Sequence, residues 1–140
     1  MSPHDVMVSS RTRSRMSPLI ERWPGIGTTT DNHLAAGSDM LFICVRSEQA
    51  LAVLDEIRPS ISSSTHVVLV NSGVPIDDIA DVPVSKAIPS ITIEAGRGIT
   101  LVHHGRNVDP EGRNRLERLF GSVGRVMVMG EGRIDAATAL

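Results

Sequence analysis

The sequence predicts an α/β domain with a mainly parallel sheet and helices on both faces. Two apolar runs, residues 40–45 and 66–70, lack the alternation of a half-buried strand, which is typical of strands covered on both faces. Helical patterns alternate with such runs along the chain, as in α/β folds with right-handed crossovers. A length of 140 residues allows one ordinary core.

Helix signals fall between the predicted strands. Ser47 is placed to cap a helix whose apolar residues recur at helical spacing until Pro59. Asp109 followed by Pro110 is a strong helix start. The predicted strands are residues 6–9, 26–29, 39–46, 66–70, 84–88, 99–102 and 126–129, and the predicted helices begin near Ser17, Asp31, Ser47, Asp109 and Ile134.

The strand at residues 39–46 is expected to run through the middle of the sheet. Open parallel sheets bind ligands outside the carboxyl ends of their strands, so Val45, Arg46 and Ser47 mark the expected functional edge. Cys44, in the same strand, is expected to be a buried core thiol. As the only cysteine it excludes an internal disulfide and a thiolate-rich metal site.

The composition argues against several classes of protein. A net charge of −2, from 14 Lys and Arg against 16 Asp and Glu, does not fit a general nucleic-acid binder, and three aromatic residues offer few stacking surfaces for bases. No apolar run reaches the roughly 20 residues of a membrane helix, and the first residues lack the layout of a secretory signal. We therefore expect a cytoplasmic protein that binds neither nucleic acid nor membrane.

Seven short stretches, in order along the chain, carry a resemblance to a known family. They are residues 6–13, 39–46, 66–74, Ile88-Pro89-Ser90-Ile91-Thr92, Gly98-Ile99-Thr100-Leu101, Leu119-Phe120-Gly121-Ser122-Val123-Gly124 and Asp135-Ala136-Ala137-Thr138-Ala139-Leu140. Together they resemble the N-terminal part of the pyrroline-5-carboxylate reductase family and its late-competence-type relatives. The resemblance covers nearly the whole chain and implies a Rossmann-like fold.

The resemblance also implies a division of the chain. Residues 1–130 would form an incomplete NAD(P)-binding domain without the family's first strand and glycine-rich turn, the first βα unit. Residues 131–140 would begin the helix that leads to an absent C-terminal dimer domain. In the usual strand order the missing strand lies between those at residues 6–9 and 39–46, so its loss leaves both with exposed edges. The two strands could close up, pair with another chain or be poorly ordered, and we expect marginal stability or self-association into a homo-oligomer.

A basic turn with hydroxyl groups follows the strand at residues 6–9. A site for NAD places a carboxylate here to bind the ribose 2′-hydroxyl, whereas hydroxyls and guanidinium groups suit a 2′-phosphate. By this resemblance Ser10, Arg11 and Arg13 imply NADPH as the cofactor. A solvated basic turn without a ligand is the alternative interpretation.

The resemblance implies further cofactor contacts at the other strand ends. Thr30 and Asn32 would lie near the adenine side, Val45, Arg46 and Ser47 would border the dinucleotide, and Asn71, Ser72, Gly73, Pro89 and Ser90 would flank the nicotinamide end. Arg46-Ser47 replaces the family's Lys-Pro, and Ser90 replaces its Asn. The change at Ser90 matches the late-competence-type branch better than the authentic reductase.

The pair His103-His104 raises the question of a metal or acid–base site. Neighbouring strand residues point to opposite faces, and no cysteine or carboxylate pattern accompanies the pair, so we expect surface histidines and no metal. The chain contains no Gly-x-Ser-x-Gly motif, which argues against a hydrolase triad. No catalytic residue is assigned, because hydride transfer needs no protein nucleophile.

Three hypotheses for the function follow. The first is the NADPH-binding part of a pyrroline-5-carboxylate-reductase-like oxidoreductase, which would transfer hydride to a C=N bond in proline biosynthesis. The second is a non-catalytic nucleotide-binding or regulatory module of the late-competence type. A flavodoxin-like or receiver domain is a weaker third, since no acidic cluster ends the first strand.

Overall fold

The computed structural model describes residues 1–139 and has the predicted α/β architecture. The strands are β1 (Met7–Ser9), β2 (Gly27–Thr29), β3 (Met40–Ile43), β4 (His66–Leu69), β5 (Val84–Pro89), β6 (Gly98–His104) and β7 (Gly124–Val128). The helices are α1 (Ser17–Arg22), α2 (Asn32–Ala36), α3 (Ser47–Ile57), α4 (Pro110–Gly121) and α5 (Glu131–Thr138). Within the described part of the chain, none of the helices has the length and apolar character that crossing a membrane requires.

The chain divides into two compact units. The first comprises residues 1–38 and 57–62, and the second comprises residues 39–56 and the chain from residue 63 onward. In the first unit β1 and β2 pair in parallel, and the Asp31 side chain caps α2 by accepting the backbone N–H of His33. Ser17 was expected to cap α1, but it lies inside the helix, and the residue before it is Met16.

The second unit contains a five-stranded sheet in the order β3-β4-β5-β6-β7. The neighbouring strands are parallel except β5 and β6, which are antiparallel. Every residue of β4 is buried, as expected for a strand covered on both faces. Gly124 opens β7 so close to β6 that a Cβ there would overlap the backbone of Gly98, which explains the need for glycine.

The prediction that residues 39–46 form a central strand is wrong in two respects. β3 ends at Ile43, and among the described residues its one strand neighbour is β4, so it is an edge strand. Its burial alternates: Leu41 and Ile43 on one face are buried, whereas Met40 and Phe42 on the other face are partly buried and pack against a core cluster. Cys44 follows the strand and is exposed, contrary to the expected core thiol. Self-association through open edges stays a prediction.

One core cluster of the second unit lies between the sheet and α4. Its fully packed residues are Val68, Ala87, Val102, Leu116 and Phe120, and Phe42 meets Phe120 edge-to-face with ring centroids 6.2 Å apart. α4 begins as predicted: Asp109 accepts the backbone N–H of Gly112 at 2.7 Å, and Pro110 follows it in the first turn.

The last described helix, α5, begins at Glu131, earlier than the predicted start at Ile134. The helix packs on the sheet through Ile134, which is fully buried. Leu140, the last residue of the Asp-Ala-Ala-Thr-Ala-Leu stretch, lies outside the described residues.

Candidate functional site

The turn after β1 contains the residues predicted to select the cofactor. The backbone N–H of Ser10 donates to the carbonyl of Thr29 at 3.1 Å, and the Ser10 hydroxyl accepts the N–H of Thr12 at 3.3 Å. Arg11 and Arg13 follow at exposed positions. The turn is therefore fixed by its backbone while both guanidinium groups are available to an anion in solvent.

Asn32 has a defined contact in the same unit. It is the first residue of α2, and its Oδ1 accepts the hydroxyl of Ser9 at 2.7 Å. This bond ties the end of β1 to the start of α2. A contact from Asn32 to the adenine side of a cofactor stays a prediction.

In the second unit, a cavity of about 510 Å³ lies at the carboxyl ends of β3, β4 and β5. Five residues with predicted cofactor contacts line it together: Arg46, Ser47, Asn71, Ser72 and Pro89. The complete lining is Arg46, Ser47, Glu48, Val70, Asn71, Ser72, Ile88 and Pro89. The carboxyl ends of adjacent parallel strands are where α/β sheets bind ligands, so the cavity has the expected position.

Hydrogen bonds hold the polar wall of this cavity in place. The Ser47 hydroxyl donates to the Ser72 carbonyl at 2.7 Å, and Ser47, which was predicted to precede α3 as its cap, is the first residue of that helix. Asn71 Nδ2 donates to the Val45 carbonyl at 3.4 Å. Within the described residues Asn71 Oδ1 is buried and has no hydrogen-bond partner. An unpaired buried acceptor is costly, and a ligand N–H could satisfy it.

Three predicted residues of the second unit do not line the cavity. Val45 contributes its carbonyl to the bond from Asn71, and Gly73 forms the turn after β4 with φ +80°. The Ser90 hydroxyl accepts the backbone N–H of Ile99 at 2.9 Å and therefore supports the turn between β5 and β6. Their contacts with a cofactor stay predictions.

Sequence reasoning missed Glu48, Val70 and Ile88 in the cavity lining. Each is next in sequence to a polar residue or proline that was noticed at a strand end. Only their position in the sequence could have indicated them, because residues next to the carboxyl end of a strand lie at the same edge of the sheet as that strand end.

A larger cavity, of about 730 Å³, lies along α4 and β7. It contains no predicted site residue, and its lining mixes acidic, basic and apolar groups: Glu111, Asn114, Glu117, Arg118, Gly121 and Val126. Size alone does not make it the better candidate, because polar groups from several strand ends converge only on the smaller cavity.

A buried chain of hydrogen bonds crosses the second unit. His66 Nε2 lies 2.8 Å from Ser85 Oγ, Ser85 Oγ lies 2.8 Å from His104 Nδ1, and His104 Nε2 lies 3.0 Å from Glu117 Oε1. The set has the residue types of a hydrolase triad, but Ser85 is fully buried and no substrate can reach it. Burial lowers the pKa of His104 despite its bond to Glu117, so the imidazole is neutral.

His103 and His104 point to opposite faces of β6, as predicted, but they are not surface histidines. The side chain of His103 is 15% exposed and that of His104 is 4% exposed. His103 bonds Asp77 and the carbonyl of Met129, whereas His104 bonds Ser85 and Glu117. Sequence spacing could not show these carboxylates, which lie far away along the chain.

Comparison with known proteins finds relatives in one family. The chain is 33% identical over 149 aligned residues to a pyrroline-5-carboxylate reductase of Corynebacterium melassecola, in a match that covers all of this chain and 55% of that protein. Homologues named pyrroline-5-carboxylate reductase thus cover the whole of this chain. It is also 27% identical over 141 residues to pyrroline-5-carboxylate reductase 3 of Bacillus subtilis, covering 98% of the chain and 52% of that protein. No family model matches the chain.

Solved structures of pyrroline-5-carboxylate reductases share the fold. The Coxiella burnetii enzyme superposes with a TM-score of 0.87 at 24% identity, over 99% of this chain and 54% of that one. The Plasmodium falciparum pyrroline carboxylate reductase, solved with NADP bound, gives a TM-score of 0.81 at 19% identity, over 95% of this chain and 50% of that one. The chain thus has the family's Rossmann-like fold and spans about half the length of the relatives it matches.

Proposed function

We propose that this chain binds NADPH and forms the cofactor-binding part of a reductase that transfers hydride to the C=N bond of pyrroline-5-carboxylate, giving proline. The curated relatives are named for that reduction, and one structural neighbour holds NADP. In this proposal residues 1–130 form the cofactor-binding region, and α5 begins the connection to a following domain.

The observation that carries the proposal is the cavity at the carboxyl ends of β3, β4 and β5. It brings together Arg46, Ser47, Ser72 and Pro89, the same residues to which the family resemblance assigns cofactor contacts. Residues from three separate segments converge there, as a ligand site requires and a structural turn does not.

Each part of the lining suits one part of a dinucleotide. The Arg46 guanidinium can donate to phosphate oxygens. The unpaired Asn71 Oδ1 can accept the N–H of a carboxamide, a group that nicotinamide carries. Val70, Ile88 and Pro89 supply apolar surface for a ring. The cofactor supplies the hydride, and the protein positions it.

The choice of NADPH over NADH rests on the turn after β1. Its three residues offer one hydroxyl and two exposed guanidinium groups, and none of them is acidic. We assign the 2′-phosphate to Ser10, Arg11 and Arg13, because guanidinium–phosphate bonds are charge-assisted.

A thermal-shift titration with NADPH and NADH tests the proposal. A ligand that binds only the folded chain raises the melting temperature with concentration, so NADPH should raise it. Arg46→Ala should weaken NADPH binding by about tenfold or more, the loss of one charge-assisted contact. Arg125→Ala, which removes an exposed arginine on β7 outside the cavity, is the matched control and should bind like the unaltered chain.

Two results would contradict the proposal. One is no shift with either nucleotide, which would favour the non-catalytic module. The other is an equal response of the Arg46 and Arg125 variants, which would remove the cavity from the binding site.

A further inference from the structure

Three side chains that play no part in the cofactor proposal converge beside the carboxyl end of β6. Asp77 comes from the segment after β4, His103 from β6, and Glu131 is the first residue of α5. One ligand atom from each lies within 4.8 Å of those of the other two. His103 Nε2 and Asp77 Oδ1 are 2.8 Å apart.

The contacts of His103 require a positive charge inside this cluster. Its Nδ1 lies 3.0 Å from the carbonyl oxygen of Met129, and a carbonyl only accepts, so Nδ1 bears a hydrogen. A neutral imidazole then presents a lone pair at Nε2, directed at the carboxylate of Asp77. The Nε2 lone pair and the Asp77 carboxylate, 2.8 Å apart, are both acceptors. Either a second ring proton or a metal ion between them is needed to make this contact favourable.

The surrounding charges favour an added cation. Glu131 Oε1 lies 2.9 Å from the buried Lys86 ammonium and accepts the backbone N–H of Ile76 at 2.8 Å. Asp135, whose side chain is 46% exposed, lies 3.4 Å from the same ammonium. The carboxylates of Asp77 and Glu131, with Asp135 beside them, outnumber the single positive charge of Lys86, so the surroundings of His103 Nε2 are acidic, as a cation site requires.

We propose that Asp77, His103 and Glu131 bind a divalent cation of the zinc type. One imidazole nitrogen and two carboxylates form a mixed set that suits zinc and its neighbours among the transition metals, with water completing the coordination. The Met129 carbonyl orients the imidazole from behind, as outer-shell groups do at zinc sites. Asp77 is 44% exposed at the side chain and provides an entry path from solvent.

The ion would join three segments that are distant in sequence: the loop at Asp77, the end of β6 and the start of α5. Its role is structural, because it fixes where α5 leaves the sheet. The site shares no residue with the cofactor cavity. Failure of NADPH binding would therefore leave this proposal intact, and failure of metal binding would leave the cofactor proposal intact.

Calorimetric titration of the untagged, EDTA-treated chain with Zn²⁺ tests the proposal, together with the absorption spectrum of the Co²⁺ form. We expect one ion per chain. Asp77→Asn and His103→Gln should each weaken binding by about tenfold or more and change the Co²⁺ spectrum. Asp78→Asn, which alters the neighbouring exposed acid outside the cluster, is the matched control and should bind like the unaltered chain.

The exposed Asp77 can be changed without opening the core, so its variant keeps the test valid if the histidine variant fails to fold. Absence of Zn²⁺ and Co²⁺ binding would overturn the proposal, as would equal affinities of the Asp77 and Asp78 variants. NMR of the metal-free chain adds an independent check: two ring protons on His103 that persist when Zn²⁺ is added would show that a proton fills the place assigned to the metal.

Discussion

The buried chain from His66 to Glu117 has one consistent arrangement of protons. Neutral His104 donates from Nε2 to Glu117, so its Nδ1 accepts the hydroxyl of Ser85. The Ser85 oxygen then accepts the N–H of His66 Nε2. His66 Nδ1 is left as a bare acceptor, and it is buried without a partner among the described residues. Protonating His66 at Nδ1 would bury a positive charge on a nitrogen that has no hydrogen-bond acceptor among the described residues.

This arrangement predicts that stability falls as the pH is lowered. Burial is the largest cause that lowers the pKa of His66 from 6.5 to about 4; the charge that His104 carries once it is protonated in acid and the charge of Arg115 act in the same direction, and Asp109 opposes them. Because the pKa is lower in the folded chain than in the unfolded chain, protons favour unfolding. The stabilisation is complete above about pH 6.5 and is lost progressively as the pH falls towards 4.

Urea unfolding should show this loss as on the order of 2 kcal/mol between about pH 7 and about pH 5. His66→Gln should flatten the pH dependence, because the neutral amide cannot titrate. His33→Gln removes an exposed histidine of the first unit and should leave the dependence unchanged. The same slope in the His66 variant as in the unaltered chain would show that His66 is not its source.

At the residue scale, the sequence could predict site residues only where an apolar run shows that a strand is ending. Arg46, Ser47, Ser72 and Pro89 follow or close apolar runs, and the cavity contains all four. The buried state of Lys86 was not visible in this way, because its partners come from α5, at the far end of the chain.

At the scale of elements, α5 is held to the sheet by a buried charge. Lys86 on β5 is fully buried, and its ammonium lies 2.9 Å from Glu131 and 3.4 Å from Asp135, both on α5. A buried ammonium without its partner is strongly destabilising. α5 is therefore needed because its carboxylates neutralise the buried ammonium of Lys86 on β5.

This contact predicts unequal effects of two variants in α5. Glu131→Gln should destabilise the chain by roughly 2–4 kcal/mol, because it removes the closer and more buried partner of Lys86. Asp135→Asn, at the longer distance and with a 46% exposed side chain, should cost less than about 1 kcal/mol. Urea unfolding with EDTA present keeps any metal contribution out of the comparison. Equal losses of stability in the two variants would contradict the assignment of Glu131 as the main partner of Lys86.

The antiparallel pairing of β5 and β6 shows what element prediction missed. Both strands were predicted, but not their relative direction. A parallel crossover needs about a dozen residues or more, and the segment 90–97 is shorter and contains only a 3₁₀ helix, Ile91–Ala95. The length of this connection could therefore have predicted that β5 and β6 are antiparallel. The edge position of β3 was not available from length or periodicity, since an apolar run does not reveal how many neighbours it has.

For the whole molecule, the order of strands and helices could be predicted from the sequence, because hydrophobic patterning and helix start signals are local. The division into two units with separate sheets could not, because it depends on which strands pair across long distances in sequence. The similarity to pyrroline-5-carboxylate reductases supports a dinucleotide site, and the position that we propose for the nicotinamide end is the cavity at the strand ends of the second unit.

The ratio of the dissociation constants for NADH and NADPH tests the central claim most directly. Measured by calorimetry, the unaltered chain should bind NADPH at least about tenfold more tightly than NADH. Arg11→Ala should remove most of this preference by weakening NADPH alone, whereas Arg15→Ala, an exposed arginine of the same turn region, should preserve it. Equal affinity for the two nucleotides in the unaltered chain, or an undiminished preference in the Arg11 variant, would contradict the account.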